Sequence, residues 1–439
     1  MIKRAVQGSF RRRFWLLIFT ALLSGCLQSE KTQFLTQGEQ ELEAGKYDEA
    51  KSTYMKVLQL DPFNAVAAAK LGRIWLEEGA PWRAGLFLKK AVELEPHDGE
   101  SRLRLAQVYL ALGADNKARE EVLKVLQESP PNEEALLRLT EMAHTPEEIA
   151  QAKEILRNFP HKETASYQLA DANLTLRRKD FVAAEAAVRK AIALAPVSAE
   201  AHQALGFLEL LQNRPGEAVQ AFRIAITLAP VRSPVQINYA QLLKKTAGPE
   251  AATDYLKTIT ARAPDFFSAW IALAQVALQA KKYDEAMADL AKVFSRDPQN
   301  VESRLLQSDI WLAQTQPDKV ILALKQLEKS YPDLPGVNSR LGKAYLMENN
   351  LPQARAALDR ALAKDPHLAD DVLARAELSL ANRDPEEAVK SLQELLKRRP
   401  TFQPAQELLD KARRVLEQNQ TTSPPRPESP SPASSPIGR

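Results

Sequence analysis

The chain has 439 residues, of which 45% are apolar, 26% charged and 6% aromatic. This balance is ordinary for a globular protein and excludes disorder along the whole chain. Only 15 residues are glycine, which argues against sandwiches, barrels and glycine-looped nucleotide folds and favours helices. The single cysteine excludes an intramolecular disulfide and a cysteine-based zinc site. The formal charge of +3 indicates no class of partner until the positions of the charges are considered.

Residues 1–25 have the organisation of a signal peptide. They contain five basic residues and no acidic one, and the apolar run Phe14–Leu23 follows the basic part. This run is too short for a bilayer, which needs roughly 20 residues, but it suits the core of a signal peptide. Without this segment the chain has 54 basic and 56 acidic residues, a charge of −2. No basic stripe interleaved with aromatic residues remains, so we expect no nucleic-acid partner.

The end of this segment resembles the lipobox of bacterial lipoproteins, in which an aliphatic residue and two small residues precede an invariant cysteine. The matching residues are Leu23, Ser24, Gly25 and Cys26. The resemblance implies that the Cys26 thiol accepts a lipid, that cleavage makes Cys26 the first mature residue, and that acyl chains hold the protein on a membrane. An uncleaved anchor helix that buries Cys26 remains an alternative.

Two neighbouring features bear on the destination of the protein. Leu27, not aspartate, follows the cysteine, so the lipoprotein resemblance implies the outer membrane of a Gram-negative cell, facing the periplasm. Residues 26–30 would then be the lipidated cysteine and a short linker. Arg11–Arg13 and Phe14 also resemble a twin-arginine signal faintly, but the basic start of an ordinary signal peptide explains them more simply.

The rest of the chain is periodic, with a repeat length of about 34 residues. Eight of the ten intervals between recurring prolines are identical in length. Alanine or glycine recurs at two fixed positions ahead of most of these prolines, with bulky side chains between. This pattern predicts two helices per repeat that approach each other closely at the small residues. The second helix is predicted to end before the proline. The prolines are Pro62, Pro96, Pro130, Pro160, Pro196, Pro230, Pro264, Pro298, Pro332, Pro366 and Pro400.

These repeats resemble tetratricopeptide repeats. The segment Ala65–Pro96 matches the family pattern with Leu71-Gly72, Trp75, Gly79, Ala84 and Ala91. The resemblance implies an all-α superhelical solenoid of about eleven helix-turn-helix repeats over residues 31–400. The fourth repeat, near 131–160, is degenerate, and a new helix is predicted to begin at Thr145 because a cap, a proline and two acidic residues follow one another there.

The C-terminal part contains two further predicted segments. Residues 401–418 form an amphipathic stretch, and we expect a capping helix there because a solenoid needs a polar outer face at its end. Residues 419–439 are rich in proline and serine, so we expect a disordered tail. A proline-rich ligand segment is the alternative interpretation of this tail.

No catalytic or cofactor chemistry is indicated by the sequence. The five histidines are scattered, and no metal-binding pair, phosphate loop or nucleophile elbow is present. We therefore predict a protein that is not an enzyme, with no catalytic residue, no metal and no cofactor.

The resemblance also indicates where a ligand would bind. In this family the first helix of each repeat lines the concave side, and its second, fifth, ninth and twelfth positions contact ligands. The twelfth position is leucine in nine repeats, which indicates packing, whereas the ninth varies and is mostly polar. Glu39 and Glu377 occupy it at the two ends. Between them stand the predicted groove residues: Arg73, Gln107, Asn173, Phe207, Gln241, Gln275, Asp309 and Lys343.

Two functional hypotheses follow. The first is a non-catalytic, membrane-anchored scaffold that binds proteins or extended peptides in the periplasm and serves an envelope, secretion, pilus or exopolysaccharide system. The second is a lipoprotein that binds a polysaccharide or guides its export, because amide side chains also bond sugar hydroxyls. Simple solvation of the ninth-position residues is the structural alternative to both.

Overall fold

The computed structural model describes residues 29–330, 334, 336–364 and 368–422. Every regular element in these ranges is a helix, which confirms the predicted all-α solenoid. Leu23, Ser24, Gly25 and Cys26 lie outside the described residues, as does the tail from residue 423. None of the described helices is long and apolar enough to cross a membrane.

Odd-numbered helices are the first helices of the repeats and even-numbered helices are the second. The helices are α1 (29–43), α2 (Tyr47–Leu60), α3 (Ala65–Glu78), α4 (Pro81–Leu94), α5 (Gly99–Ala111), α6 (Asp115–Glu128), α7 (Glu133–Glu141), α8 (Pro146–Asn158), α9 (Ala165–Arg177), α10 (Phe181–Leu194), α11 (Ala199–Leu211), α12 (Pro215–Leu228), α13 (Pro234–Thr246), α14 (Pro249–Arg262), α15 (Phe267–Gln279), α16 (Tyr283–Phe294), α17 (Val301–Ala313), α18 (Pro317–Ser330), α19 (Val337–Met347), α20 (Leu351–Lys364), α21 (Ala369–Ala381), α22 (Pro385–Arg398) and α23 (Gln403–Thr422).

The periodic prolines terminate the second helices as predicted. Ten of these eleven helices end two residues before their proline, and α16 ends four residues before Pro298. Asp61, which precedes Pro62, has φ −139° and ψ 89°. This backbone is not helical, as expected for a residue before proline, where the helical region is disfavoured.

Small residues allow the two helices of a repeat to approach closely, as predicted. A Cβ added to Gly206 would lie 2.4 Å from Phe222, and one added to Gly72 would lie 2.5 Å from Leu88. The glycine and its partner have the same sequence separation in both pairs, so the spacing fixes the contact between first and second helix. Phe222 and Leu88 are fully buried.

The degenerate fourth repeat begins its second helix at the predicted residue. Thr145 caps α8, and Glu148 completes a capping box by accepting from the Thr145 backbone N–H at 3.0 Å. Its first helix, α7, has only nine residues. It packs more extensively on α9 than on its own partner α8, so this repeat is held mainly by its neighbour.

The chain divides into two compact units, Met1–Leu306 and Gln307–Arg439. The last helix, α23, begins at Gln403 and ends at Thr422, four residues beyond the predicted boundary. No proline or glycine interrupts the sequence between Pro404 and Pro424, which removes the usual reasons for an earlier stop.

Candidate functional site

The ninth-position residues of the first unit lie on helices that are direct neighbours. The first helices α9, α11, α13 and α15 contact one another in succession. Side-chain hydrogen bonds join α13 to both of its neighbours, from Asn238 Nδ2 to Gln203 Oε1 of α11 at 3.1 Å and from Lys244 Nζ to Gln279 Oε1 of α15 at 3.1 Å. The result is a continuous polar face within this unit.

Several predicted groove residues are already engaged within the chain. Asn173 Nδ2 donates to Thr140 Oγ1 at 3.2 Å, and Gln107 Nε2 donates to Glu134 Oε1 at 3.4 Å. Arg73 bonds Glu77 of its own helix at 2.7 Å. In these three cases the ninth residue contributes to internal structure as well as to a surface.

Three other groove residues are exposed on adjacent helices. Phe207 is 42% exposed and contacts Phe222 edge-on, with ring centroids 5.1 Å apart. Gln241 and Gln275 follow on α13 and α15 and are exposed. Together they offer one aromatic ring and two amides, which both donate and accept hydrogen bonds.

In the second unit too, some ninth-position residues are engaged within the chain and others are exposed. Asp309 is paired with Arg340 of α19, whereas Glu377 is exposed. Lys343 is half-buried and lowers the pKa of nearby Asp371, although burial raises that pKa overall. Among the residues that the structure describes, no three His, Cys, Asp or Glu side chains are grouped as metal ligands would be.

A groove of about 730 Å³ lies between α12 and the end of α13. Leu210, Val219 and Leu243 line it with apolar surface, and Arg223 and Lys245 contribute two cations. The groove belongs to the same repeats as Phe207 and Gln241. Partner contacts can therefore extend from the first-helix face to the turns at its edge.

A long-range contact within the first unit is not indicated by the repeat pattern. The turn after α3 and the start of α4 lie on α15 and on the region from α16 to α17. We call Gly79–Arg83 the junction segment. The junction surface consists of Phe267, Ser268, Val293, Asp297 and Glu302.

The centre of this junction is apolar and closely packed. Ala80, Phe267 and Val293 are buried in one cluster, and the ring of Trp75 lies 6.4 Å from that of Phe267 between centroids. A Cβ on Gly79 would lie 2.0 Å from Ser268 Oγ and 2.9 Å from Ser268 N. Only glycine permits this approach, and its φ of +88° is also one that glycine adopts freely.

Charged groups surround the apolar centre. Arg83 pairs with the buried Asp297 at 2.5 Å, and its guanidinium lies over the Trp75 ring at 4.9 Å from the centroid. The Trp82 backbone N–H donates to Glu302 Oε1 at 3.4 Å. Arg296 also forms an ion pair with Asp48 of α2.

Two carboxyl groups at the junction are unusually weak acids. The pKa of Glu302 is raised to about 7, mainly by burial, and the charge of nearby Asp297 acts in the same direction. Burial likewise raises the pKa of Glu78 to about 7, although Lys51 Nζ lies 2.7 Å from Glu78 Oε1 and opposes the shift. The junction therefore contains carboxyl groups that change charge near neutral pH.

One local signal could have drawn attention to the junction segment. The first turn of α4 contains Trp82 and Arg83 and no acidic residue, whereas α12 and α14 carry glutamate there. A cation at a helix N-terminus is unfavourable to the helix dipole. Asp297 offsets this cost from the connection between α16 and α17, and that pairing could not be read from the local sequence.

Comparison with known proteins identifies the repeats. The family profile described as Tetratricopeptide repeat matches residues 76–140 and 277–335, and a second profile of that description matches residues 35–98. The chain is built from tetratricopeptide repeats. A profile described as Cytochrome c-type biogenesis protein H TPR domain matches residues 161–304. Tetratricopeptide folds bind protein partners, which identifies the chain as a protein-interaction array.

Similar proteins include two bacterial relatives and two solved structures. The Beta-barrel assembly-enhancing proteases of Escherichia coli (strain K12) and Shigella flexneri are each 33% identical over 117 residues, covering 26% of this chain and 24% of either relative. The match thus spans about a quarter of their length. A tetratricopeptide repeat protein from Parabacteroides merdae ATCC 43184 is 17% identical with a TM-score of 0.47, covering 56% of this chain and 98% of that chain. Yeast Tom70 is 18% identical with a TM-score of 0.43, covering 90% and 92%.

Proposed function

We propose that this chain is a non-catalytic scaffold, anchored by lipid on Cys26 to the periplasmic face of the outer membrane, that binds protein partners through its first-helix face. Its role is in the assembly of an envelope, secretion, pilus or exopolysaccharide system. The observation that carries the proposal is the exposed set Phe207, Gln241 and Gln275 on three adjacent first helices.

The chemistry of this set suits an extended peptide. An exposed aromatic ring buries apolar area when a partner covers it, and amides bond both the N–H and the C=O of a peptide backbone. Gln107 and Asn173, which a polysaccharide would also need in a continuous amide row, are bonded to Glu134 and Thr140. We therefore prefer a protein partner to a glycan.

The names of the similar proteins support a role in assembly. The region around the exposed set lies within residues 161–304, which match the profile named for cytochrome c-type biogenesis. The relatives that match over 117 residues are named for enhancing β-barrel assembly. A scaffold without protease activity is compatible with that likeness, because the match covers only 24% of the protease chain.

Variants of the exposed set provide the test of partner binding. The full chain is tagged, captured from detergent-solubilised membranes, and compared with a triple variant Phe207→Ala, Gln241→Ala, Gln275→Ala. A matched control changes Gln59 and Gln127 to alanine, since both are exposed on second helices. We expect specific envelope proteins with the wild type and control, and at least a ten-fold loss with the triple variant. Equal capture by all three would contradict the proposal.

A glycan titration separates the alternative function. We would conclude that the ligand is a polysaccharide and not a protein if a polysaccharide bound saturably and the binding were abolished by alanine at four amide positions: Gln107, Asn173, Gln241 and Gln275.

The anchor is tested independently with Cys26→Ala. We expect wild-type cells to yield processed, acylated protein and the variant to accumulate unprocessed precursor without acyl label. Lipid-free, fully soluble mature protein from wild-type cells would refute the anchor while leaving the partner surface intact.

A further inference from the structure

The junction segment covers part of the face that carries Gln275. Ser268 and Gln275 are seven residues apart on α15, so two helical turns place them on the same side of the helix. Gly79 lies directly on Ser268. A segment of the protein itself thus occupies one end of the proposed binding face.

We propose that the junction surface is a recognition site for a protein segment that presents an apolar or aromatic side chain beside an arginine, and that Gly79–Arg83 occupies this site as an internal competitor. This inference rests on the proposed function, because it assigns partner chemistry to one end of the same face. Binding of a partner segment then requires the junction to open.

The apolar half of the surface selects an apolar side chain. Phe267 and Val293 are fully buried beneath Ala80 and the ring of Trp75. Lifting the junction segment would return this apolar area to water, which is unfavourable in proportion to the area exposed. An incoming segment must cover the same area if it is to replace the internal one.

The charged half of the surface selects a cation. Asp297 is 1% exposed, and Arg83 lies 2.5 Å from its carboxylate. A buried carboxylate that loses its cation carries a large desolvation cost. Arginine suits the site because its planar guanidinium pairs with a carboxylate and also stacks on an aromatic ring, as Arg83 does on Trp75.

The internal segment has an advantage over any separate peptide because it is covalently tethered. A tethered segment acts at a high effective concentration. The apparent affinity for a separate peptide falls by the fraction of molecules in which the site is open. If about one molecule in ten is open, the peptide binds about ten-fold more weakly than to a fully open variant.

Three glycines at equivalent positions provide a matched set of variants. Gly79 and Gly113 stand at the same turn position of successive repeats, 34 residues apart, and have φ of +88° and +69°, so alanine carries a similar backbone cost at both. No atom lies within 4 Å of a Cβ at Gly113 or at Gly45, whereas at Gly79 the Cβ meets Ser268. Gly79→Ala therefore opens the junction, and Gly113→Ala is its control.

The probe is a labelled peptide with the sequence of residues 78–87, titrated against the full chain. We expect Gly79→Ala to bind it at least ten-fold more tightly than the wild type or Gly113→Ala. Adding Asp297→Asn to Gly79→Ala should abolish this binding, since the cation loses its partner. Adding Ser268→Gly should reduce the gain, because it removes the Oγ that alanine at residue 79 meets.

Circular dichroism checks that each variant remains folded. If Gly79→Ala has lost helix, Arg83→Ala replaces it, because this side chain is one third exposed and its removal leaves the backbone unchanged. Equal peptide binding by the opened variant and Gly113→Ala, or binding unaffected by Asp297→Asn, would overturn the inference. If no partner is captured from membranes but the peptide binds as expected, the proposed function alone is refuted. If partners are captured but the peptide does not bind as expected, this inference alone is refuted.

Discussion

Asp309 of α17 and Arg340 of α19 are joined by two parallel N–H···O hydrogen bonds of 2.8 and 2.6 Å. The pair links first helices of successive repeats, since the two residues are 31 positions apart. Glu39 and Lys70 form the equivalent pair at 2.7 Å with the same separation. An acidic ninth residue followed by a cation at this separation is therefore a link between repeats.

We expect Asp309→Ala to lower the free energy of unfolding by about 1 kcal/mol, because it removes a two-point ion pair that is partly solvent-exposed. Urea unfolding followed by circular dichroism measures this change. Glu377→Ala is the control, since this ninth-position residue is exposed and surface changes are usually within about 0.5 kcal/mol. Equal effects of the two variants would argue against the link.

A methyl group at Gly206 should be costly. Gly206→Ala places a Cβ 2.4 Å from the Phe222 ring and 3.3 Å from a backbone oxygen of Ala218. We expect a loss of about 1–3 kcal/mol from overpacking, visible as a lower urea midpoint. Gly216→Ala meets nothing within 4 Å and should be neutral or slightly stabilising, because alanine favours a helix. A neutral result for Gly206→Ala would show that the two helices can separate without cost.

Thr315 occupies a turn position where its backbone is strained. Its φ is +57°, in the left-handed region that a β-branched residue disfavours. The equivalent residue one repeat later is Asn349 at φ +56°, and asparagine tolerates this conformation. We expect Thr315→Asn to raise stability by about 1 kcal/mol. The reciprocal change Asn349→Thr should lower it by a similar amount, and thermal melts of both variants that matched the wild type would contradict this account.

The junction should weaken as the pH rises through neutrality. The pKa of Glu302 is raised by burial from 4.5 to about 7 in the folded chain. Its stabilising contribution is complete below pH 4.5, where both states are protonated, and is lost as the pH passes 7. Asp297 and the Trp82 N–H are the groups that act on it, and Asp297 is itself paired with Arg83. Glu302→Gln should therefore flatten the decline in the free energy of unfolding between pH 5 and 8, by about 2–3 kcal/mol. Urea unfolding at each pH measures it, and parallel curves for variant and wild type would contradict the assignment.

Local relations between residues could be predicted from the sequence because the period repeats them. The ends of the second helices follow from prolines, and the contact of Gly206 with Phe222 follows from a sequence spacing that Gly72 and Leu88 share. The ninth-position residues could be enumerated, but their hydrogen bonds could not. Asn173 is engaged because its Nδ2 lies within hydrogen-bond distance of Thr140 Oγ1 in the preceding repeat. The sequence does not give the distance between these two atoms.

The contact of Gly79 with Ser268 lies beyond the reach of periodicity for a different reason. It depends on small rotations that accumulate over several repeats, and the nine-residue α7 changes that accumulation midway. The pattern of residue types along the chain does not give the rotation between successive repeats, so it cannot predict which distant repeats come into contact. The pairing of Arg83 with Asp297, which stands several repeats later, was hidden for the same reason.

The junction also changes how this chain should fold. A repeat array normally gains its stability from neighbouring repeats alone, so folding can begin anywhere and spread along the chain. The pairing of Asp48 with Arg296 adds a contact between residues 248 positions apart, whose loop-closure cost must be met before it is favourable. The contact should therefore form last, after the repeats between its ends are ordered. Damage to the second repeat would then loosen α15 and the connection that follows α16, although both are far from that repeat along the chain.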